Sequence, residues 1–588
     1  MPYKRSLVPE ERKWDLSSLF ASPEDCEKEM NEIEKKLRKI EGFKGKINAE
    51  NVIDCLKLRS DIYRGAENVY VYSNMRKDTD TAEPEAQAAA EKASLFMSGC
   101  AAKTSFIEPE IVKKFKPDAL DGLGERNPDF SMYFRSLRKS LKHILNKPQE
   151  AMMARIGTFS GDFKNAFMLL DNADLKFKPV KAGRKSVELN HGNYSNFLQD
   201  NDQNVRRRAF QNYYAAYNAH INTIAALYAA SVKKDVAVAG IRRYRSALKR
   251  ALDSEDVSPK VYKNLIEAVH KRLPALHSYI RYRRRALGVD ELHMYDLYVP
   301  LAKEFKLELD YDEAYELVKE ALKPLGDDYV ELLDRAKRER WIDVEATENK
   351  RSGAYSWGTY DSKPYVLLNY TRTSHDVFTI AHELGHSMHS YYSHRAQCYE
   401  KADYTIFLAE IASTVNEVLL LKYLIAGAEG EKKRYLLNYY LDMFRTTLFR
   451  QTMFAEFEEF AHAEAEKDAP LTAKTMSEEY YRLNRLYYGR DVIHDDEIAS
   501  EWARIPHFYN AFYVYKYATG ITVAVNIVSR ILSGEKGFVE KYREFLSAGG
   551  SAYPLEILSG LGIDLEKKAP FYTALDEFKA TLEELKNS

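Results

Sequence analysis

Thr373-Ser-His-Asp-Val-Phe-Thr-Ile-Ala-His-Glu-Leu-Gly-His-Ser-Met-His389 is the stretch on which the reading of this chain turns. Thr373 and Asp376 have the spacing of a helical capping box, and the carboxylate falls in the first turn, where the helix dipole favours it. Val377, Ile380 and Ala381 then supply an apolar face, so a helix is predicted from about residue 374 onward. On that helix His382 and His386 are four residues apart and share a face, so both imidazoles can reach one ion. Glu383 lies beside that ion rather than on it, where its carboxylate can take a proton from an activated water. With 14 histidines in 588 residues, about 0.03 such five-residue matches are expected by chance. The spacing is what metal-activated hydrolysis needs.

Zinc of this kind takes a third protein ligand and keeps one position open. A third histidine at the metzincin spacing is ruled out, because positions 389 and 392 hold His389 and Tyr392. Downstream, Phe407-Leu-Ala-Glu-Ile-Ala-Ser-Thr-Val-Asn-Glu417 reads as an apolar helix carrying acids at 410 and 417. A carboxylate on such a helix is costly to bury unless a cation compensates it. Glu410 is therefore the first choice of ligand, with Glu417 on the same face placed to orient a ligating histidine. His389 and Glu400 compete for the third position. His389 lies roughly 10 Å along the axis from His382, too far for easy convergence on one ion, and is read as a supporting or core histidine.

Just upstream, Trp341-Ile-Asp-Val-Glu-Ala, Gly353-Ala-Tyr-Ser-Trp and Tyr365-Val-Leu-Leu-Asn-Tyr read as short strands feeding the helix. The Gly353–Trp357 strand, as a sheet edge, could accept an extended peptide through main-chain hydrogen bonds, with Gly353 and Tyr355 as binding candidates. Elsewhere the pattern is amphipathic helix, as in the Met30, Ile33, Leu37, Ile40 stripe and the Ala/Glu-rich stretch from Glu83 to Ser98. Lys176 to Asn190 reads as a short hairpin or a loop.

The whole-chain numbers fit an ordinary enzyme. At 588 residues the chain exceeds what one core usually organises, so at least two lobes are expected. The polar run Asn190-His-Gly-Asn-Tyr-Ser-Asn suggests a division into a helical lobe, 1–200, and a catalytic domain, 201–588. The 87 Lys+Arg against 88 Asp+Glu, a net charge of −1, argue against a nucleic-acid partner. The basic stretches Arg242–Arg245 and Arg281–Arg285 are read as ion-paired helix faces. Four scattered cysteines give neither a disulfide framework nor a cysteine zinc site. No leader or membrane-spanning run is evident, so a cytoplasmic location without membrane association is expected.

His382-Glu-Leu-Gly-His-Ser-Met-His389, with Glu410 twenty-eight residues after the first histidine, resembles the thimet oligopeptidase and oligoendopeptidase F metallopeptidases. Trp14-Asp-Leu, Lys350-Arg-Ser-Gly-Ala-Tyr, Ile505-Pro-His-Phe-Tyr and Tyr513-Val-Tyr-Lys-Tyr-Ala-Thr-Gly520 resemble the oligoendopeptidase F branch. The resemblance implies a mainly α, two-lobed enzyme with a small β-sheet beside the metal helix and a deep substrate channel. It implies one Zn²⁺ per chain, held by His382, His386 and Glu410, and endoproteolytic cleavage of short peptides. Glu383 is then the catalytic base, and His507 with a tyrosine stabilises the developing oxyanion, a task their hydrogen-bond donors suit. Tyr515 is the first choice, followed by Tyr517 and Tyr513. A zinc exopeptidase of carboxypeptidase type and a non-catalytic peptide-binding protein are the rival readings.

Overall fold

The computed structural model describes residues 4–183, 185–302 and 307–588. Among these, helices dominate and only two small sheets occur, so the protein is mainly α. No described helix is long and apolar enough to cross a membrane.

The chain divides into two compact units, and neither is continuous in sequence. Unit 1 comprises Met1–Lys142, Lys306–Tyr423 and Ile527–Gly562; unit 2 comprises His143–Phe305, Leu424–Asn526 and Ile563–Ser588. The division therefore differs from the sequential split expected at residue 200. The polar run read as a boundary is instead a helix start inside unit 2: Asn190 and Asn193 form a capping box for the His191–Leu198 helix. Asparagine-rich polarity marks caps as readily as linkers.

In unit 1 the helices Pro23–Glu41, Val52–Thr79 and Pro84–Thr104 bury the expected stripe, with Ile33, Leu37 and Ile40 in one core with Leu56, Ile62 and Val69. The sheet of unit 1 contains β3 (Ile342–Glu345), β4 (Tyr355–Trp357) and β5 (Tyr365–Tyr370), in the order β3-β5-β4. The central strand β5 is parallel to β3, antiparallel to β4 and buried along nearly its whole length, which explains its unbroken apolar run. Trp14 packs against Tyr355 and Tyr365 at ring separations of 6.4 and 6.1 Å. Lys350, with a fully buried side chain, reaches Asp343 Oδ1 at 2.6 Å and the Glu345 carbonyl at 2.7 Å. These contacts give two of the resembling motifs, Trp14-Asp-Leu and Lys350-Arg-Ser-Gly, a structural meaning: they staple the chain around the sheet.

Unit 2 is built from long helices, among them Gln203–Ala219, Ile221–Ile241, Pro259–Leu287, Arg450–Glu466 and Ala473–Tyr488. Its residues Val180–Ala182 (β1) and Lys185–Val187 (β2) pair antiparallel, so the 176–190 region contains a hairpin; position 184 lies outside the described residues. The basic stretches are ion-paired as expected for Arg242, with Glu150, and Arg281, with Asp491, each at 3.0 Å. Arg283, by contrast, is fully buried.

Candidate metal centre

Strand β5 ends at Tyr370 and the metal helix, Ser374–Ala396, starts at once. The capping box forms as read: Asp376 N–H donates to Thr373 Oγ1 at 3.3 Å, and the Asp376 carboxylate accepts from Thr373 N–H at 2.9 Å. The same carboxylate accepts from both the backbone and the hydroxyl of Thr371. The turn is thus locked, and the helix leaves the sheet in one fixed direction.

A second helix, Ile406–Ala426, crosses it at close range. Gly385 makes the approach possible, since a Cβ there would lie 2.5 Å from Ser413 Cα and 2.7 Å from the Ala412 carbonyl oxygen. Asn416, fully buried, donates to the Ala381 carbonyl at 3.0 Å and accepts from Tyr329 Oη at 3.1 Å, fixing the two helices in register.

The crossing brings His382, His386 and Glu410 together. The two Nε2 atoms are 3.2 Å apart, and each lies 3.8 Å from Glu410 Oε2. His382 donates from Nδ1 to Glu417 Oε1 at 2.7 Å, and the His386 ring hydrogen-bonds the Ala409 carbonyl. In a neutral His382, that bond leaves a lone pair on Nε2 aimed at His386. Tetrahedral zinc with donors near 2.05 Å has ligand–ligand edges of about 3.3 Å. The donor set, its spacing and the facing ring nitrogens therefore fit a divalent zinc-like ion.

The electrostatics agree. Burial pulls His382 down, but the hydrogen bond and charge of Glu417, with Glu383 and Glu410, outweigh it and raise the ring to about 9. Burial and the neighbouring His382 push His386 down to about 3. Glu383 is buried, and that burial, with Glu410 and Glu417 nearby, raises its carboxyl to about 7 against the pull of His382.

The sheet touches this helix directly. A backbone group of Ser356 in β4 hydrogen-bonds Glu383, and Ser356 Oγ lies 2.8 Å from Ser387 Oγ. Strand β4 is the sheet's outer strand on this side, as the sequence reading expected of Gly353–Trp357. Gly353 adopts φ +84° with open space where a Cβ would stand. The Tyr355 side chain turns elsewhere, donating to Asp78 Oδ2 at 3.0 Å, so only its backbone is offered to the edge.

Two competing residues fall outside the metal group. His389 is fully buried and stacks on Tyr404 at 3.6 Å, and neither ring nitrogen has a hydrogen-bond partner among the described residues. It packs the core behind the ligands and orients neither of them; burial holds it neutral, pushed down to about 3. Glu400 hydrogen-bonds Ser60 and lies 3.7 Å from Arg59.

In unit 2, His507 is exposed and gathers Tyr513 and Tyr517. Tyr517 Oη lies 3.5 Å from both His507 Nε2 and Tyr513 Oη. Tyr515, the first choice from sequence, instead has a fully buried ring packed on Tyr262 at 5.3 Å. It begins the Tyr515–Leu532 helix on its inward side, whereas Tyr513 and Tyr517 turn outward. Burial thus sets Tyr513 and Tyr517 ahead of Tyr515 as residues that can offer a hydroxyl to a ligand.

Glu458, unremarked in the sequence, sits behind this cluster. Fully buried, it accepts from Phe512 N–H at 2.5 Å, and Phe512 has a left-handed φ of +55°. Burial holds the Glu458 carboxyl well above its usual range. With Glu456, Glu459, Glu464 and Glu466 on the same helix, nothing in the sequence distinguishes Glu458 from these neighbours.

Comparison with known proteins places this constellation. The model of peptidase family M3 matches residues 196–577. The oligopeptidase PepF of Bacillus subtilis (strain 168) is 38% identical over 588 residues, covering 99% of this chain and 88% of that one. An oligoendopeptidase F homolog of Lactococcus lactis subsp. lactis (strain IL1403) is 37% identical, covering 100% and 98%. The crystal structure of oligoendopeptidase-F from Enterococcus faecium matches with a TM-score of 0.74 at 34% identity, covering 96% of this chain and 98% of that one. A crystal structure from Chlamydophila abortus matches with a TM-score of 0.92 at 32% identity, covering 100% and 99%. With a HExxH helix, a converging glutamate and whole-length similarity on both counts, the chain belongs to peptidase family M3, in its oligoendopeptidase F branch, and is a metallopeptidase.

Proposed function

We propose that the protein is a zinc-dependent oligoendopeptidase that cuts internal bonds of short peptides. The observation that carries this reading is the convergence of His382, His386 and Glu410, whose facing donor atoms lie 3.2–3.8 Å apart, beside the buried carboxyl of Glu383. Those three residues hold the ion. When bound, zinc supplies a Lewis acid for the scissile carbonyl and makes a water acidic enough to attack near neutral pH. Glu383 takes the proton of the attacking water and returns it to the leaving amine, a cycle that suits a carboxyl with a tunable proton affinity. A cation among the ligands draws that carboxyl below the value it has without one. The outer edge of β4 offers backbone groups to an extended peptide, which recognises main chain rather than particular side chains. His507, Tyr513 and Tyr517 are the oxyanion-stabilising donors of this reading, on the strength of their chemistry, their clustering and the family resemblance.

The test is mass spectrometry of a mixed peptide digest, with and without a chelator, beside the Glu383→Gln variant. Internal cuts abolished by chelation, and a variant that keeps its metal but loses at least about 10²-fold in turnover, are expected. Release of single terminal residues would favour an exopeptidase. Full activity of Glu383→Gln would remove the proposed base.

A further inference from the structure

Unit 2 encloses a cavity of about 270 Å³ lined by Tyr194, Tyr213, Tyr298, Arg450, Glu501 and Arg504, among others. Both arginines lean on one carboxylate. Arg450 Nη2 and Arg504 Nη2 reach Glu501 Oε1 at 2.5 and 2.8 Å, while Tyr480 occupies Oε2 at 2.6 Å. The side chains of Arg450, Arg504 and Glu501 are only 15%, 20% and 5% exposed.

The same imbalance continues next door. Arg445, 2% exposed, pairs with Asp442 at 2.7 Å, and the fully buried Arg283 shares that carboxylate at 3.4 Å. Arg445 lies over the ring of Tyr298, a wall of the cavity, at 4.8 Å, and its Nη1 has no hydrogen-bond partner among the described residues. Asp296, the nearby alternative, is committed to Arg206 at 2.8 Å. Four arginines thus face two carboxylates among the described residues. Buried charge left uncompensated is strongly destabilising, so such surpluses are neutralised by a pKa shift or by a bound counterion. Arginine does not release its proton. Among the tyrosines of the wall, burial holds Tyr194, Tyr214 and Tyr488 protonated above their ordinary value, while at Tyr298 Arg450 and Arg445 outweigh burial and draw the phenol down.

We infer that this cavity is a binding site for a small monovalent anion, a halide or a carboxylate group, held by Arg450 and Arg504 with tyrosine hydroxyls around it. Guanidinium forks and phenolic donors suit either anion, and the volume admits a carboxylate-bearing fragment as well as a hydrated halide. None of its lining residues is among those proposed to hold the metal, which belong to unit 1.

The test uses the whole protein with a bulky organic sulfonate, neither a halide nor a carboxylate, as the reference anion at constant ionic strength. Exchanging that sulfonate for chloride in one arm, and for acetate in the other, is expected to raise the melting temperature saturably by a few degrees in at least one arm. The responding arm identifies the halide or the carboxylate. Arg450→Gln, which leaves one arginine for Glu501, should abolish that dependence. Should that variant fail to fold, bromide or bromoacetate soaked into wild-type crystals should give an anomalous peak between Arg450 and Arg504. No saturable rise in either arm, or crystals without a peak in the cavity, would overturn the assignment.

Discussion

His382 donates its Nδ1 proton to Glu417 Oε1 across 2.7 Å, from one helix of the metal centre to the other. That bond fixes the ring's tautomer and turns Nε2 toward His386 and Glu410. Partners of this kind typically contribute 10- to 100-fold in metal affinity. Glu417→Ala is expected to weaken metal binding by about that factor, and Glu417→Gln, which keeps an acceptor but loses its charge, by less. Competition against a chelating dye measures both. Equal affinity in all three proteins would show that the ring is held by packing alone.

Gly385 sets the distance between those helices, and no side chain can replace it without displacing the Ser413 backbone. Glu410, the proposed third ligand, lies one turn before Ser413. Gly385→Ala is expected to destabilise the protein by about 1–3 kcal/mol, the usual cost of overpacking, and to weaken metal affinity as Glu410 is pushed away. Denaturant unfolding gives the first quantity and chelator competition the second. A stable variant with native affinity would mean that the helices absorb the methyl by sliding.

Most of the candidate metal centre's geometry was legible because local periodicity determined it. The His382/His386 face, the Thr373–Asp376 cap and the three strands all follow from spacing within a few residues. Glu410 was legible for a different reason, the cost of placing a carboxylate on an apolar helix. What failed was anything decided by distant packing. The units interleave three segments each, so a composition change near residue 190 held no information about the boundary. His389 has the spacing of a ligand partner, yet Tyr404 and Phe545 enclose it. The tyrosines could not be ranked because the inward side of a helix starting at Tyr515 depends on Tyr262, more than 250 residues earlier.

The three tyrosines can be separated by phenylalanine substitution. If the outward pair supplies an oxyanion donor, Tyr517→Phe or Tyr513→Phe should lower kcat on the order of 10²-fold with little change in KM. Tyr515→Phe should leave kcat within a few-fold and act chiefly on thermal stability. Steady-state kinetics on one fluorogenic peptide decides between them. A large kcat loss confined to Tyr515→Phe would restore the order suggested by the sequence.

Lys350 and Asp343 form the buried ion pair at the heart of the sheet, with Arg5 also hydrogen-bonded to Asp343. Removing Asp343 strands the fully buried Lys350, whereas removing Lys350 leaves Asp343 paired with Arg5. Asp343→Leu is expected to cost about 3–5 kcal/mol in urea unfolding. The double variant Lys350→Met/Asp343→Leu should recover part of that loss. Absence of any recovery would locate the cost in the lost Arg5 contact instead.

Glu501 offers a pH test of the other buried network. Burial alone would raise its carboxyl, but Arg450 and Arg504, with hydrogen bonds from Tyr480 and Arg450, hold it at about 2 against an ordinary 4.5. A carboxyl whose folded value lies below its unfolded one contributes stability that is fully present above the unfolded value. That contribution drains away as the pH falls toward the folded value. Unfolding free energy should therefore decline between about pH 4.5 and 2, partly through this group. Other paired carboxylates titrate in the same window, so the informative quantity is the difference between wild type and Glu501→Gln. The variant should be less stable at pH 7, because two buried guanidinium groups lose their counter-charge, and should show a shallower acid slope. Parallel slopes for the two proteins would mean that the Arg450–Glu501–Arg504 cluster is balanced by something other than the Glu501 charge.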